Sequence, residues 1–138
     1  VLPEDTAFQK LIVSVNCYSK KYGEDIEAEL EEIDDFSAKV NAPVIIGEFG
    51  TRIVDFTLEH RQKLAANYVA RAAGHGIKCF WWDDNKSKAY RIINRQELLE
   101  FDFRMICALI EGAQGNANVL PDTQVLNTVF HFVRGLCA

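Results

Sequence analysis

The sequence predicts an α/β fold made of parallel βα units, and three observations carry that prediction. Short β-branched or aromatic runs recur along the chain, helical periodicity fills the intervals, and the two alternate instead of forming separate blocks. The first two strand-like runs are almost continuously apolar, which suits parallel strands covered on both faces.

The first predicted strand runs from Leu11 to Tyr18, the second from Val44 to Phe49, and the third from Ile77 to Trp82. Pro43 and Gly50 bound the second, and Gly76 leads into the third. Between the first two, Ile26, Leu30, Ile33 and Val40 recur at roughly helical spacing, and the acids from Glu24 to Glu32 suit the positive end of a helix dipole. A second helix is predicted from near Thr57 to about Ala73, with Leu64, Tyr68, Val69 and Ala72 as its apolar side and Gly74 and Gly76 as its stop. A third is predicted over roughly Gln96 to Glu111, with Leu98, Phe101, Met105, Ile106, Leu109 and Ile110 inward. A fourth is predicted over Asp122 to Leu136, capped by Asp122 or Thr123, with a linker from Gly112 to Asn118 before it.

The 138 residues fit one domain. At 49% hydrophobic and 25% charged, the chain has the composition of a packed globular protein. Its net charge of −5 argues against a nucleic-acid partner, because phosphate binding normally needs a basic face. No apolar run approaches the ~20 residues of a membrane helix. The first residues, Val1-Leu2-Pro3-Glu4-Asp5, lack the basic start and apolar core of a signal peptide. Cys17, Cys79, Cys107 and Cys137 have no CxxC spacing, and three of them sit in apolar runs, so they read as buried free thiols and not as a metal site. Neither a metal nor a nucleotide motif is present, and no cofactor is expected.

The residue that stands out is Glu48. It is the single carboxylate at the C-terminal end of an otherwise apolar strand, the end at which parallel α/β folds place ligands. An isolated carboxylate there is costly, so it needs hydrogen-bond partners or a chemical task. From position alone, a loop-capping role and a functional one are equally open.

The segment Ala42 to Gly50, followed by a helix and then Gly76-Ile77-Lys78-Cys79-Phe80-Trp81-Trp82-Asp83, resembles the end of the family-5 glycoside hydrolases, cellulase-type β-glucanases. Pro3-Glu4-Asp5-Thr6 and the run from Leu11 to Tyr18 resemble that family's sixth strand, and Arg95 with the helix after it resembles its closing helix. The resemblance implies strands six to eight, about half of a (β/α)₈ barrel, over residues 1–112, with 113–138 as a linker and additional helix outside the family pattern. It implies Glu48 as the nucleophile of a retaining endo-β-1,4-glucanase, with Tyr18 beside it helping to keep it ionised. Trp82 would be the platform under a sugar ring, whereas Trp81, on the opposite side of the strand by alternation, reads as core packing. Asn16 stands where the family has a histidine that positions the acid/base. Asp83 either lines the sugar site or belongs to a polar turn.

The family acid/base is a Glu following an Asn, and no Asn-Glu pair occurs in this chain. The expectation is therefore a glycosidase chain that is weak or inactive by itself, acting on a β-glucan or related polysaccharide in a secreted setting. A complementing N-terminal half-barrel or a homo-oligomer would cover the open strand edges. Two other readings are a vestigial carbohydrate-binding module that hydrolyses nothing, and an interaction protein that reuses the barrel fragment as a scaffold.

Overall fold

The computed structural model describes residues 10–18, 25–84, 89–95 and 100–117. The strand β1 (Val13–Cys17), the helix α1 (Ile26–Val40), β2 (Val44–Phe49), α2 (Leu58–Gly74) and β3 (Cys79–Trp81) follow in the alternating order that the sequence predicts. The three strands form one parallel sheet in the order β1-β2-β3. Half of an eight-stranded barrel would need four, so the described sheet is smaller than the half-barrel expected.

Both helices pack on the same face of the sheet. Ile26, Leu30 and Ile33 of α1, and Tyr68, Val69 and Ala72 of α2, share one core with Val44, Ile46, Phe49 and Cys17. These helical positions are three or four apart, so they form the apolar stripe that burial requires. Thr57 caps α2 by accepting the His60 N–H on its side-chain oxygen, at 3.3 Å. Gly76 follows with φ +72°, a conformation that a side chain would strain.

Helices α1 and α2 are also tied electrostatically. His75 places Nε2 3.0 Å from Glu27 and Nδ1 against Asp34, and Arg71 pairs with Glu27 as well. The acidic face of α1 thus holds the end of α2.

The third helix differs from expectation. It spans Phe103–Ala113 as α3 and does not begin near Gln96. Asp102 is its cap, accepting the Met105 N–H, and the Asp102 N–H donates to the Ile92 carbonyl. Just before it, β5 (Glu100–Phe101) pairs antiparallel with β4 (Ile93–Asn94), which commits Phe101 to a strand. Met105 and Ala108 of α3 pack on Ala65 and Ala66 of α2. Gly112 allows this approach, since a Cβ there would lie 2.6 Å from the Ala66 carbonyl oxygen. The expected helix from Asp122 to Leu136, Cys137 and Leu98 lie outside the described residues. Cys17, Cys79 and Cys107 are free thiols, as expected. Burial pushes the Cys17 thiol up to about 12 and that of Cys79 up to about 11, so both are unreactive at neutral pH.

Candidate active site

The site forms where β1 and β2 end, and a one-residue irregularity in β2 creates it. Val15 pairs with Ile46, but the next residue, Asn16, pairs with Glu48, which leaves Gly47 as an extra residue. Such a bulge shifts the alternation of side chains by one. Ile46 and Phe49 are three apart, yet both point into the helix-side core. Glu48, between them, is released to the opposite face. Gly47 is required at this point, because a Cβ there would lie 2.1 Å from Ser14 Oγ.

On β1 the alternation is regular. Val13, Val15 and Cys17 contribute to the core, so Ser14, Asn16 and Tyr18 project to the other face. Tyr18 thereby reaches Glu48, and its hydroxyl donates to Glu48 Oε2 at 3.0 Å. Asn16 is exposed and stands opposite Glu48 in the register. The same face carries Phe80 and Trp82, both exposed. Trp82 is anchored by its backbone, whose N–H donates to the Phe49 carbonyl at 2.8 Å, so its indole is held beside the end of β2.

Trp81 takes the opposite role. Its ring meets Phe49 edge-on at 5.3 Å, and its Nε1 donates to the Tyr90 carbonyl at 2.9 Å. It is packed structure, as alternation predicts. Asp83 is occupied within the chain: one carboxylate oxygen accepts the Ile93 N–H at 3.1 Å and the other accepts Arg95 Nη1 at 3.0 Å. These bonds fasten the segment after β3 back onto the strand end.

Tyr90 is a site residue that sequence reasoning missed. Its ring stands edge-on to Tyr18 at 5.5 Å and covers Gly50, where a Cβ would come within 3.1 Å of Tyr90 Cδ1. It therefore braces the tyrosine that holds Glu48. No sequence motif marks it, because the contact depends on how the segment after β3 returns across the strand ends.

Among the described residues, no group of three or more His, Cys, Asp or Glu side chains is placed to hold a metal ion. Nor is any helix among them long and apolar enough to cross a membrane. The arrangement consists of one carboxylate oriented by a phenol, with an exposed indole nearby. Such a set can act on or hold a polyhydroxylated ring, using the carboxylate for chemistry or hydrogen bonding and the indole for stacking.

No protein-family model matches the chain. Individual relatives do. The chain is 34% identical over 116 residues to Endoglucanase A of Clostridium longisporum, which takes in 79% of this chain and 22% of that protein. It is 33% identical over 115 residues to Endoglucanase 1 of Ruminococcus albus, taking in 70% of this chain and 28% of that one. Among solved structures, the family-5 lichenase of Caldicellulosiruptor sp. F32 in complex with cellotetraose superposes with a TM-score of 0.70 at 25% identity, over 82% of this chain and 38% of that one. The broad-specificity endoglucanase of Ruminococcus champanellensis with bound cellotriose gives a TM-score of 0.64 at 30% identity, over 80% of this chain and 37% of that one. The chain thus spans about a quarter of the length of these curated relatives and somewhat over a third of the solved ones. In sequence and in fold, this chain is a relative of the family-5 glycoside hydrolases, and its span is consistent with a C-terminal part of one of those cellulase-type enzymes.

Proposed function

We propose that this chain carries the nucleophile half of a retaining endo-β-1,4-glucanase site. The observation that carries the reading is the 3.0 Å hydrogen bond from the Tyr18 hydroxyl to Glu48 Oε2, at the C-terminal end of the sheet. A retaining glycosidase needs a carboxylate held in one orientation to attack the anomeric carbon and form a glycosyl-enzyme. Tyr18 fixes that orientation, and the Gly47 bulge turns Glu48 out of the core to where a substrate can reach it. Trp82 stacks on the sugar ring, and Asn16 offers an amide to its hydroxyls. Asp83 acts here by holding the Trp82 segment in place through Ile93 and Arg95.

The partner acid/base must stand ~5 Å from the nucleophile in such a mechanism. With no Asn-Glu pair in these 138 residues, that carboxyl comes from a complementing N-terminal half-barrel, or a second copy supplies a different carboxyl. The same element covers the exposed Ile12 and Phe80, an apolar surface that a stable enzyme would bury. The substrate is a β-glucan, met outside the cell. Loss of general acid help costs about 10²–10⁴-fold, so the 138 residues without that element hydrolyse weakly or not at all.

The departure at Asn16 and the missing Asn-Glu pair favour a second reading, a glycan-binding module without hydrolysis. Hydrolysis of a soluble β-glucan by the purified protein together with a complementing N-terminal half-barrel, with Glu48→Gln beside it, separates the two. Activity abolished by the substitution supports the nucleophile. Cello-oligosaccharide binding without hydrolysis, unchanged by Glu48→Gln, supports the module.

A further inference from the structure

A cavity lies on the helix side of Trp81, away from the face that carries Glu48. It has a volume of about 330 Å³ and lies between the loop after β2, the first turn of α2 and the segment before β4. Ile53, Leu58 and Ile92 give it apolar walls, and Arg61, Arg91 and Asn94 give it polar ones.

Arg61 is the unusual member. It is only 3% exposed, and its guanidinium lies over the Trp81 ring at 5.8 Å. A guanidinium offers five N–H donors. Here Nε donates to Thr51 Oγ1 at 3.3 Å and Nη2 to the Arg91 carbonyl at 3.4 Å, both long bonds, and the residue lines the cavity. Arg91 adds a second guanidinium, whose Nη1 donates to Asn94 Oδ1 at 3.4 Å. Among the described residues, neither arginine lies within 4.0 Å of a carboxylate oxygen. Asp102 also lines the cavity, but its carboxylate is committed to capping α3 through the Met105 N–H. It moderates the positive charge at longer range without pairing with it.

Two guanidinium groups that line one cavity, with no ion pair to either among the described residues, repel one another and favour an anion between them. Arginine pairs recognise planar or tetrahedral oxyanions by the fork geometry of their N–H groups. We propose that this cavity binds a compact oxyanion, a carboxylate or a phosphate, through Arg61 and Arg91. The apolar walls and the volume leave room for a group the size of a monosaccharide behind the charge. A hexuronic acid and free inorganic phosphate are therefore the two sources of that chemistry.

The test is calorimetric titration of the purified protein with glucuronate, with inorganic phosphate and, as a neutral control, with glucose. The expected result is saturable binding of at least one oxyanion probe, weakened about tenfold by Arg91→Gln. Arg91 is chosen because it is half-buried, whereas Arg61→Met removes structural bonds as well and risks misfolding. Tighter binding of glucuronate assigns the site to a sugar acid, and tighter binding of phosphate assigns it to a free ion. The proposal is overturned if neither anion binds, if glucose binds as well as they do, or if a folded Arg91→Gln protein binds them unchanged.

Discussion

Ser14 Oγ occupies the space that a β-carbon at Gly47 would need, 2.1 Å from its ideal position. The two residues lie side by side on the face that carries Glu48, at the irregularity that sets the direction of β2. Gly47→Ala must push β1 and β2 apart or move Ser14, at a cost of roughly 1–3 kcal/mol. The larger effect falls on Glu48, which loses its register with Asn16. If Glu48 is the nucleophile, β-glucan hydrolysis measured with the complementing element present should fall at least tenfold while the circular dichroism stays native-like. Ser14→Gly in the Gly47→Ala background should restore much of it.

Tyr18→Phe removes one hydrogen bond to a carboxylate and leaves the ring, with its edge contact to Tyr90, in place. A hydrogen bond to a charged group contributes about 1.5–3 kcal/mol. If Glu48 is the nucleophile, kcat/KM measured with the complementing element present should fall about 10- to 100-fold, with thermal stability nearly unchanged. A large fall in Tm with no kinetic effect would make Tyr18 a structural residue.

His75 gives the chain a pH-dependent clamp between α1 and α2. The hydrogen bond to Asp34 and then that to Glu27 raise its pKa above the ordinary value of 6.5. The protonated form is therefore the one the fold favours. The contribution is complete below the unfolded value and is lost as pH rises through the folded one. The hydrogen bonds from His75 and Arg71 hold the Glu27 carboxyl below its ordinary range, so its share persists above the unfolded carboxylate value and is lost only in stronger acid. Both parts coincide in mildly acidic solution. The Tm gap between the parent and His75→Gln should be widest near pH 5–6 and should close on the alkaline side. A gap independent of pH would show that the imidazole acts by packing alone.

Gly112→Ala introduces a methyl 2.6 Å from the Ala66 carbonyl oxygen and 2.8 Å from Val69 Cβ. Both neighbours belong to α2, one of them backbone, so α3 must move away. We expect destabilisation of about 1–3 kcal/mol by denaturant titration. Gly115, where a Cβ meets nothing within 4 Å but φ is +86°, should respond through strain alone.

The strands and helices that follow local pattern were legible in the sequence. β2 has the bounds predicted from its apolar run, and α2 starts at Leu58, next to the Thr57 near which the sequence places its beginning. The pairing of Glu48 with Tyr18 was expected only through resemblance to a family; no spacing rule connects residues 30 positions apart. Three features escaped. Phe101 fits a helical stripe, yet it pairs with Ile93, because the chain reverses in a way that periodicity does not record. Asp102 carries an N-cap signature, but Leu98 and Phe101 before it extend the apolar helical pattern toward Gln96. The bulge at Gly47 was also hidden, since a glycine in a strand signals some irregularity but not which side chain it redirects.

The adjacent tryptophans have opposite surroundings, and this makes them a built-in pair of optical probes. Trp82 is 42% exposed, whereas Trp81 is wedged among Phe49, Arg61 and the Tyr90 carbonyl. Iodide should quench the first in preference to the second. A sugar stacked on the open indole would protect it from that quencher, while an anion settling against Arg61 would perturb the enclosed one. Single Trp→Phe variants would then separate the two signals, so occupancy of either face could be followed by emission alone in an unlabelled protein.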